Sequence, residues 1–74
     1  MYSAKYIPIR IMLLRKHLEM SQVQFGRELG VTDSTVYRWE EGLCQPTLEH
    51  LTEIANKYGL SMNYFFRQPK RKVR

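Results

Sequence analysis

The excess of basic side chains in this chain, which could bind anions, lies in its last eight residues. Residues 67–74 (RQPKRKVR) contain no acid and five basic residues, namely Arg67, Lys70, Arg71, Lys72 and Arg74. The whole chain has 12 basic and 7 acidic residues, so its formal net charge of +5 resides in this segment. A basic terminal run is typical of attraction to nucleic acid or another acidic surface. The alternative is a solvated tail that only aids solubility.

Patterns for catalysis or metal binding are missing from the sequence. Cys44 is the single cysteine, which excludes an internal disulfide and a multi-cysteine zinc site. His17 and His50 are the two histidines, and no nucleophile–base pair or glycine-rich phosphate loop accompanies them. We therefore predict no catalytic residue, no metal and no cofactor.

The length of 74 residues allows one small domain. We expect residues 1–66 to form that domain and residues 67–74 to form a basic tail. A core this small favours help from a partner, often a second copy. Apolar runs fall far short of the ~20 residues that span a membrane, and no signal peptide opens the chain. These features predict a cytoplasmic protein without a membrane partner.

Helical spacing of apolar residues organises most of the chain. Ile7, Ile11, Leu14 and Leu18 predict a first helix. Serine or threonine caps and glycine stops delimit the later helices. The sequence predicts an all-α domain of five helices, with a loose arm at 1–6 before them. The helices are expected at 9–20, 22–29, 33–41, 48–58 and 62–66.

The predicted helices 22–29 and 33–41 are joined by a very short glycine turn, an arrangement called helix-turn-helix. Its buried contacts should come from five large apolar residues. Gly26 should lie where the helices cross closely, and Gly30 should make the turn. The five contact residues are Phe25, Leu29, Val31, Val36 and Trp39.

The stretch from Ile11 to Phe66 resembles the lambda-repressor-like DNA-binding domains of the Xre or Cro/CI type. The resemblance is carried by short motifs along about three quarters of the chain. Two departures are Gly26, where the family usually has alanine, and Glu41, where it usually has a neutral or basic residue. The motifs are Ile11–Leu14–Arg15, Ser21-Gln22, Phe25-Gly26, Leu29-Gly30-Val31, Val36 to Gly42, Pro46, Leu48, Leu51, Ala55, Gly59-Leu60-Ser61 and Phe65-Phe66.

The resemblance implies that helix 33–41 enters the major groove of duplex DNA. At 100° per residue, Val36, Trp39 and Glu40 share its inner side. Arg38 could grip guanine with two hydrogen bonds, or contact a phosphate, or pair with an acid. Asp33 could accept from cytosine or only complement the helix dipole. The outward, base-reading side consists of Asp33, Ser34, Tyr37 and Arg38, with Glu41 at its border.

The DNA backbone is expected to contact the helix starts, where free N–H groups attract anions. The candidates are Gln22, Ser21, Thr32 and Thr35, although Ser21 could be only a cap. The resemblance implies that Gln22 also braces the recognition helix and that Arg15 pairs with Glu40. Basic tail residues Arg67, Lys70, Arg71 and Lys72 would add backbone contacts.

Two functions remain open at this point. The first is a sequence-specific regulator of transcription, a repressor that binds an inverted repeat as a homodimer. The second is a protein-interaction module on the same fold, such as an antitoxin that binds a toxin and represses its own operon. The aromatic residues near the end (Tyr58, Tyr64, Phe65 and Phe66) are mostly expected in the core, with a surplus for self-association.

Overall fold

The computed structural model describes residues 1–70, and four α-helices account for most of them. The predicted tail contacts Arg71 and Lys72 lie outside this part of the chain. Two 3-10 helices flank the α-helices, at Ala4–Tyr6 and Met62–Phe65. The α-helices are α1 (Ile7–His17), α2 (Gln22–Leu29), α3 (Asp33–Glu41) and α4 (Leu48–Tyr58).

The all-helical fold is confirmed, but the count of five helices is not. Residues Met62–Phe65 form a single 3-10 helix. Ser61 caps this segment, and Phe66 closes it by donating its N–H to Asn63 O at 3.1 Å. Four residues are too few to establish α-helical hydrogen bonding, and Pro69 follows closely. Within residues 1–70 there is no strand, only an isolated bridge between Tyr2 and Arg67.

The first helix begins and ends earlier than the predicted range of 9–20. Pro8 lies in its first turn, where its missing N–H costs nothing. The helix ends at His17 because the backbone turns at Glu19, whose φ is 58°. Met20 then donates its N–H to Arg15 O at 3.1 Å, which closes the turn. A glutamate in this left-handed conformation gives no signal in the sequence, so the spacing overestimated the helix.

The bounds of α2, α3 and α4 agree with the predicted ranges, because their caps form as expected. Ser21, Thr32 and Thr47 each accept a hydrogen bond from the backbone N–H three residues further on. At Ser21 the bond is reciprocal, since Gln24 Oε1 accepts from Ser21 N at 2.8 Å. This capping box satisfies two N–H groups that a helix start leaves unpaired.

One hydrophobic core connects all four α-helices. Phe65 from the last 3-10 helix is fully buried in it, and Tyr58, Tyr64 and Phe66 pack partly buried against it. Phe65 is therefore a core residue, whereas the other three are partly buried, and self-association through them stays a prediction. Leu48 lies in the first turn of α4 and outside the core, with 69% of its surface exposed. The core residues are Ile7, Ile11, Leu14, Phe25, Leu29, Val36, Trp39, Leu51, Ile54, Ala55 and Phe65.

The N-terminal segment is not the loose arm that the sequence predicted. Ser3 donates its N–H to Phe66 O at 2.7 Å, and Gln68 donates to Met1 O at 2.9 Å. Tyr2 and Arg67 face each other across this antiparallel pairing. The two ends of the described chain therefore hold one another. No helix among residues 1–70 combines the length and the apolar character that crossing a membrane requires.

Candidate nucleic-acid interface

The turn between α2 and α3 passes so close to Gly26 that a side chain is excluded there. A Cβ atom at Gly26 would lie 2.6 Å from the Val31 carbonyl oxygen, well inside van der Waals contact. Gly30 ends α2 with a φ of 72°, a conformation that glycine adopts without strain. Four of the five expected contact residues are buried, and Val31 is half-buried. The turn geometry of the helix-turn-helix motif is therefore present.

The outward side of α3 is free of the core, as the helical periodicity predicted. Asp33, Ser34, Arg38 and Glu41 are exposed, and Tyr37 is 48% exposed. The polar groups of this side are available to a partner. Val36 and Trp39 on the opposite side are buried, so α3 is anchored to the domain by its back.

Arg38 does not pair with a neighbouring acid. Among residues 1–70 the ion pairs are Arg15–Glu40 and Lys57–Glu28. The guanidinium of Arg38 thus keeps its charge uncompensated by Asp33 or Glu41, which removes one of the alternatives left open by the sequence. An exposed guanidinium with its donors unused can bind a base edge or a phosphate.

The residues predicted to contact the DNA backbone differ in how many hydrogen bonds their side chains already form within the protein. The Ser21 hydroxyl caps α2 by accepting from Gln24 N at 3.0 Å. Thr32 Oγ1 caps α3 and lies 3.0 Å from Thr35 Oγ1. Gln22 is half-buried and donates from Nε2 to Glu40 Oε1 at 3.1 Å. The glutamine therefore links the start of α2 to α3.

A partly buried ion pair ties α1 to the same region of α3. Arg15 donates from Nε to Glu40 Oε2 at 2.6 Å and from Nη2 to Glu40 Oε1 at 3.0 Å. The third bond runs from Arg15 Nη1 to Met20 O at 2.9 Å. Hydrogen bonding to the Glu40 carboxylate raises the pKa of Arg15, although burial opposes the rise. The pair implied by the family resemblance is present, and it fixes α3 against α1.

One basic residue near the tail escaped the sequence reasoning. Arg10 of α1 donates from Nε to Arg67 O at 2.9 Å, and its guanidinium carbon lies 4.6 Å from the centre of the Tyr64 ring. Arg10, Arg67 and Lys70 line one cleft together with Gln68. The sequence shows only that Arg10 lies in the first helix, whereas its hydrogen-bond partner, Arg67, is 57 residues away. No local pattern could have found this contact.

The comparisons with known proteins identify the class of this fold. A family model described as helix-turn-helix matches residues 11–65. The chain belongs to this family, the lambda-repressor-like helix-turn-helix domains of the Xre and Cro/CI type. Membership supports a DNA-binding regulator, in a family that is typically non-enzymatic. No curated protein and no solved structure matches the chain significantly.

Proposed function

We propose that this chain is a repressor of transcription that binds an inverted-repeat operator as a homodimer, with α3 of each protomer in the major groove. The observation that carries the proposal is the outward side of α3, which is polar and exposed while the back of the helix is buried. A polar helix face held rigidly by its core is the element that reads base edges in helix-turn-helix proteins.

Arg38 is the principal base-reading residue in this proposal. Its guanidinium has no acidic partner among residues 1–70, and two parallel hydrogen bonds to the O6 and N7 of guanine suit its planar fork. Ser34 and Tyr37 supply a hydroxyl and a ring on the same side, for a base edge and a thymine methyl. Asp33 could accept from cytosine N4.

Backbone contacts are proposed for the residues around the two helix starts. Ser21, Gln22, Thr32 and Thr35 lie at or near the N-terminal ends of α2 and α3, where unpaired N–H groups favour phosphate. Contacts of this kind position the protein without reading sequence. The basic side chains from 67 onward would add to them.

The size of the domain supports the homodimer. Its extents are 33 × 27 × 25 Å, while recognition helices of a two-fold dimer lie about 34 Å apart on one face of DNA. These extents are close to that separation, so two copies placed one helical turn apart would lie side by side on one face of DNA. Repression follows most simply, because a protein that occupies a promoter blocks polymerase without needing an activating surface.

The test replaces Arg38 with alanine and compares binding of a duplex selected from a random pool with binding of its scrambled counterpart. Loss of one bidentate contact should reduce the preference by about 1–3 kcal/mol per protomer. Arg27→Ala, which removes an exposed arginine from α2, is the matched control and should keep the preference. Unchanged preference in Arg38→Ala would contradict the assignment of α3 as the reading element.

The second candidate is a protein-interaction module, such as an antitoxin that binds a toxin. It is favoured by Asp33 and Glu41, two exposed acids on the outward side of α3 that repel phosphate. If the partner occupies this side, Asp33→Asn and Glu41→Gln should both weaken partner binding, and Glu41→Gln should also strengthen DNA binding. Strengthened DNA binding alone would favour the repressor.

A further inference from the structure

A cleft between α1 and residues 67–70 is lined by cations, and no acid lines it in the described part of the chain. Its lining consists of Arg10, Arg67, Gln68 and Lys70, and its volume is about 480 Å³. The two ion pairs formed among residues 1–70 involve none of these three cations. Like charges gathered without counter-charges repel one another, so the cleft is poised for an anion.

The guanidinium of Arg10 is held in place before any ligand arrives. It lies over the Tyr64 ring and donates to two backbone carbonyls, Arg67 O at 2.9 Å and Gln68 O at 3.3 Å. Carbonyls accept hydrogen bonds without neutralising the charge. Of the five N–H groups of an arginine, three therefore remain for a ligand. A cation whose side chain is already ordered loses little further entropy on binding.

The segment that carries Arg67 is also fixed from the other side. Ser3 and Met1 form backbone hydrogen bonds with Phe66 and Gln68, which hold the start of the basic tail against the N-terminal segment. The Arg67 and Lys70 side chains are exposed and leave the cleft open to solvent. The cleft is thus a built feature that depends on the pairing of the two chain ends.

The cleft lies on the flank of α1 opposite to α3. Arg15 faces α3 through Glu40, whereas Arg10 faces Tyr64. At 100° per residue these two arginines point about 140° apart around the helix. An α-helix with its side chains is about 10 Å wide. The cleft therefore cannot share the phosphates that lie beside the starts of α2 and α3.

We propose that this cleft binds a phosphodiester of the same duplex, outside the groove that α3 reads. The inference rests on the proposed function, since α3 must first dock on DNA. A guanidinium fork and a lysine are the groups that bind phosphate oxygens best. A phosphate bound in the cleft is separate from those beside the starts of α2 and α3, so in this proposal the contact extends the footprint beyond the operator half-site.

The test uses the double variant Arg67→Gln/Lys70→Gln, whose backbone hydrogen bonds are unaffected because neither side chain makes them. The control, Lys16→Gln/Arg27→Gln, removes two exposed charges from elsewhere on the surface. Binding is measured by fluorescence anisotropy to a minimal operator and to the same operator with six extra base pairs on each side, from 50 to 200 mM salt.

Wild-type protein should bind the extended duplex more tightly than the minimal one, and the cleft variant should lose this difference. Each lost phosphate contact lowers the salt slope by about 0.9, which changes the ratio of wild-type to variant affinity about 3.5-fold across that salt range. Arg10→Lys keeps the charge but loses the fork, and should lose part of the flank dependence. The control should retain it.

Equal losses in the cleft variant and the control would overturn the proposal, since general charge would then account for both. A reduced salt slope without any flank dependence would overturn the placement outside the groove. Failure of the proposed function looks different, because wild-type protein would then show no preference for the operator over a scrambled duplex, and Arg38→Ala would change nothing.

Discussion

The Arg15–Glu40 pair provides the sharpest quantitative test of how the domain holds α3. The side chains are 12% and 3% exposed, so replacing Arg15 with methionine leaves the Glu40 carboxylate buried with only Gln22 to accept from. Breaking a buried pair from one side costs about 3–5 kcal/mol. A domain of this length has roughly 4–11 kcal/mol of total stability. Arg15→Met should therefore lose a large part of the free energy of unfolding, and Glu40→Leu should lose a comparable amount.

The double variant Arg15→Met/Glu40→Leu should be more stable than either single variant. It removes both charges, and apolar replacements of a buried pair are often neutral. Met20 O and Gln22 Nε2 lose their partners, which costs about 1–3 kcal/mol for each group that stays buried. We expect a coupling energy of at least about 2 kcal/mol in the double-mutant cycle.

The measurement is urea unfolding followed by Trp39 fluorescence, since this residue is buried in the wild-type core. The four proteins of the cycle should be compared at low salt and at 1 M salt. A partly buried pair is screened weakly, so the coupling should persist at high salt. If each single variant lost less than about 1 kcal/mol of the free energy of unfolding, and if these losses simply added in the double variant, the pair would behave like an exposed ion pair. That result would refute the reasoning.

Three further outcomes follow from individual contacts. Gly26→Ala should gain about 1 kcal/mol of helix propensity. It should nevertheless lower the melting temperature, because the Val31 carbonyl oxygen leaves no space for a methyl group. A higher melting temperature would show that the turn shifts easily to accept the methyl group. Tyr58→Phe should raise stability by about 1 kcal/mol, because Tyr58 Oη is buried without a partner among residues 1–70. Burial also raises the pKa of Tyr58, so wild-type stability should fall as pH rises above about 10 more steeply than that of Tyr58→Phe, a difference seen in thermal melts. Ser21→Ala should cost about 1 kcal/mol by removing the bond to Gln24 N, measured against Ser61→Ala at the shorter helix.

The central helices could be predicted because their signals are local. Each begins at a hydroxyl cap and ends at a glycine, and both act within a few residues of the chain. The exposed side of α3 followed from the same local periodicity. The Arg15–Glu40 pair required the family resemblance, since no local pattern links residues 25 positions apart.

The remaining features depend on contacts between distant segments. Residues 1–3 pair with 66–68 through backbone atoms, and backbone hydrogen bonding leaves no mark on residue types. The ordering of Arg10 depends on Tyr64 in the same way. The early end of α1 at His17 depends on a left-handed glutamate. In each case the prediction would have required the tertiary structure, which a single sequence does not show.

The contact at Gly26 limits how this protein can change its DNA preference. Because the backbone of the turn already fills the space beside that glycine, α2 and α3 cannot pack closer together at this point. Re-aiming α3 by small adjustments of its packing is closed off in that direction. Under the proposed function, new preferences would come from exchanging the side chains at positions 34, 37 and 38 while α2 and α3 keep their arrangement, so variants at these positions should alter recognition and leave the fold intact.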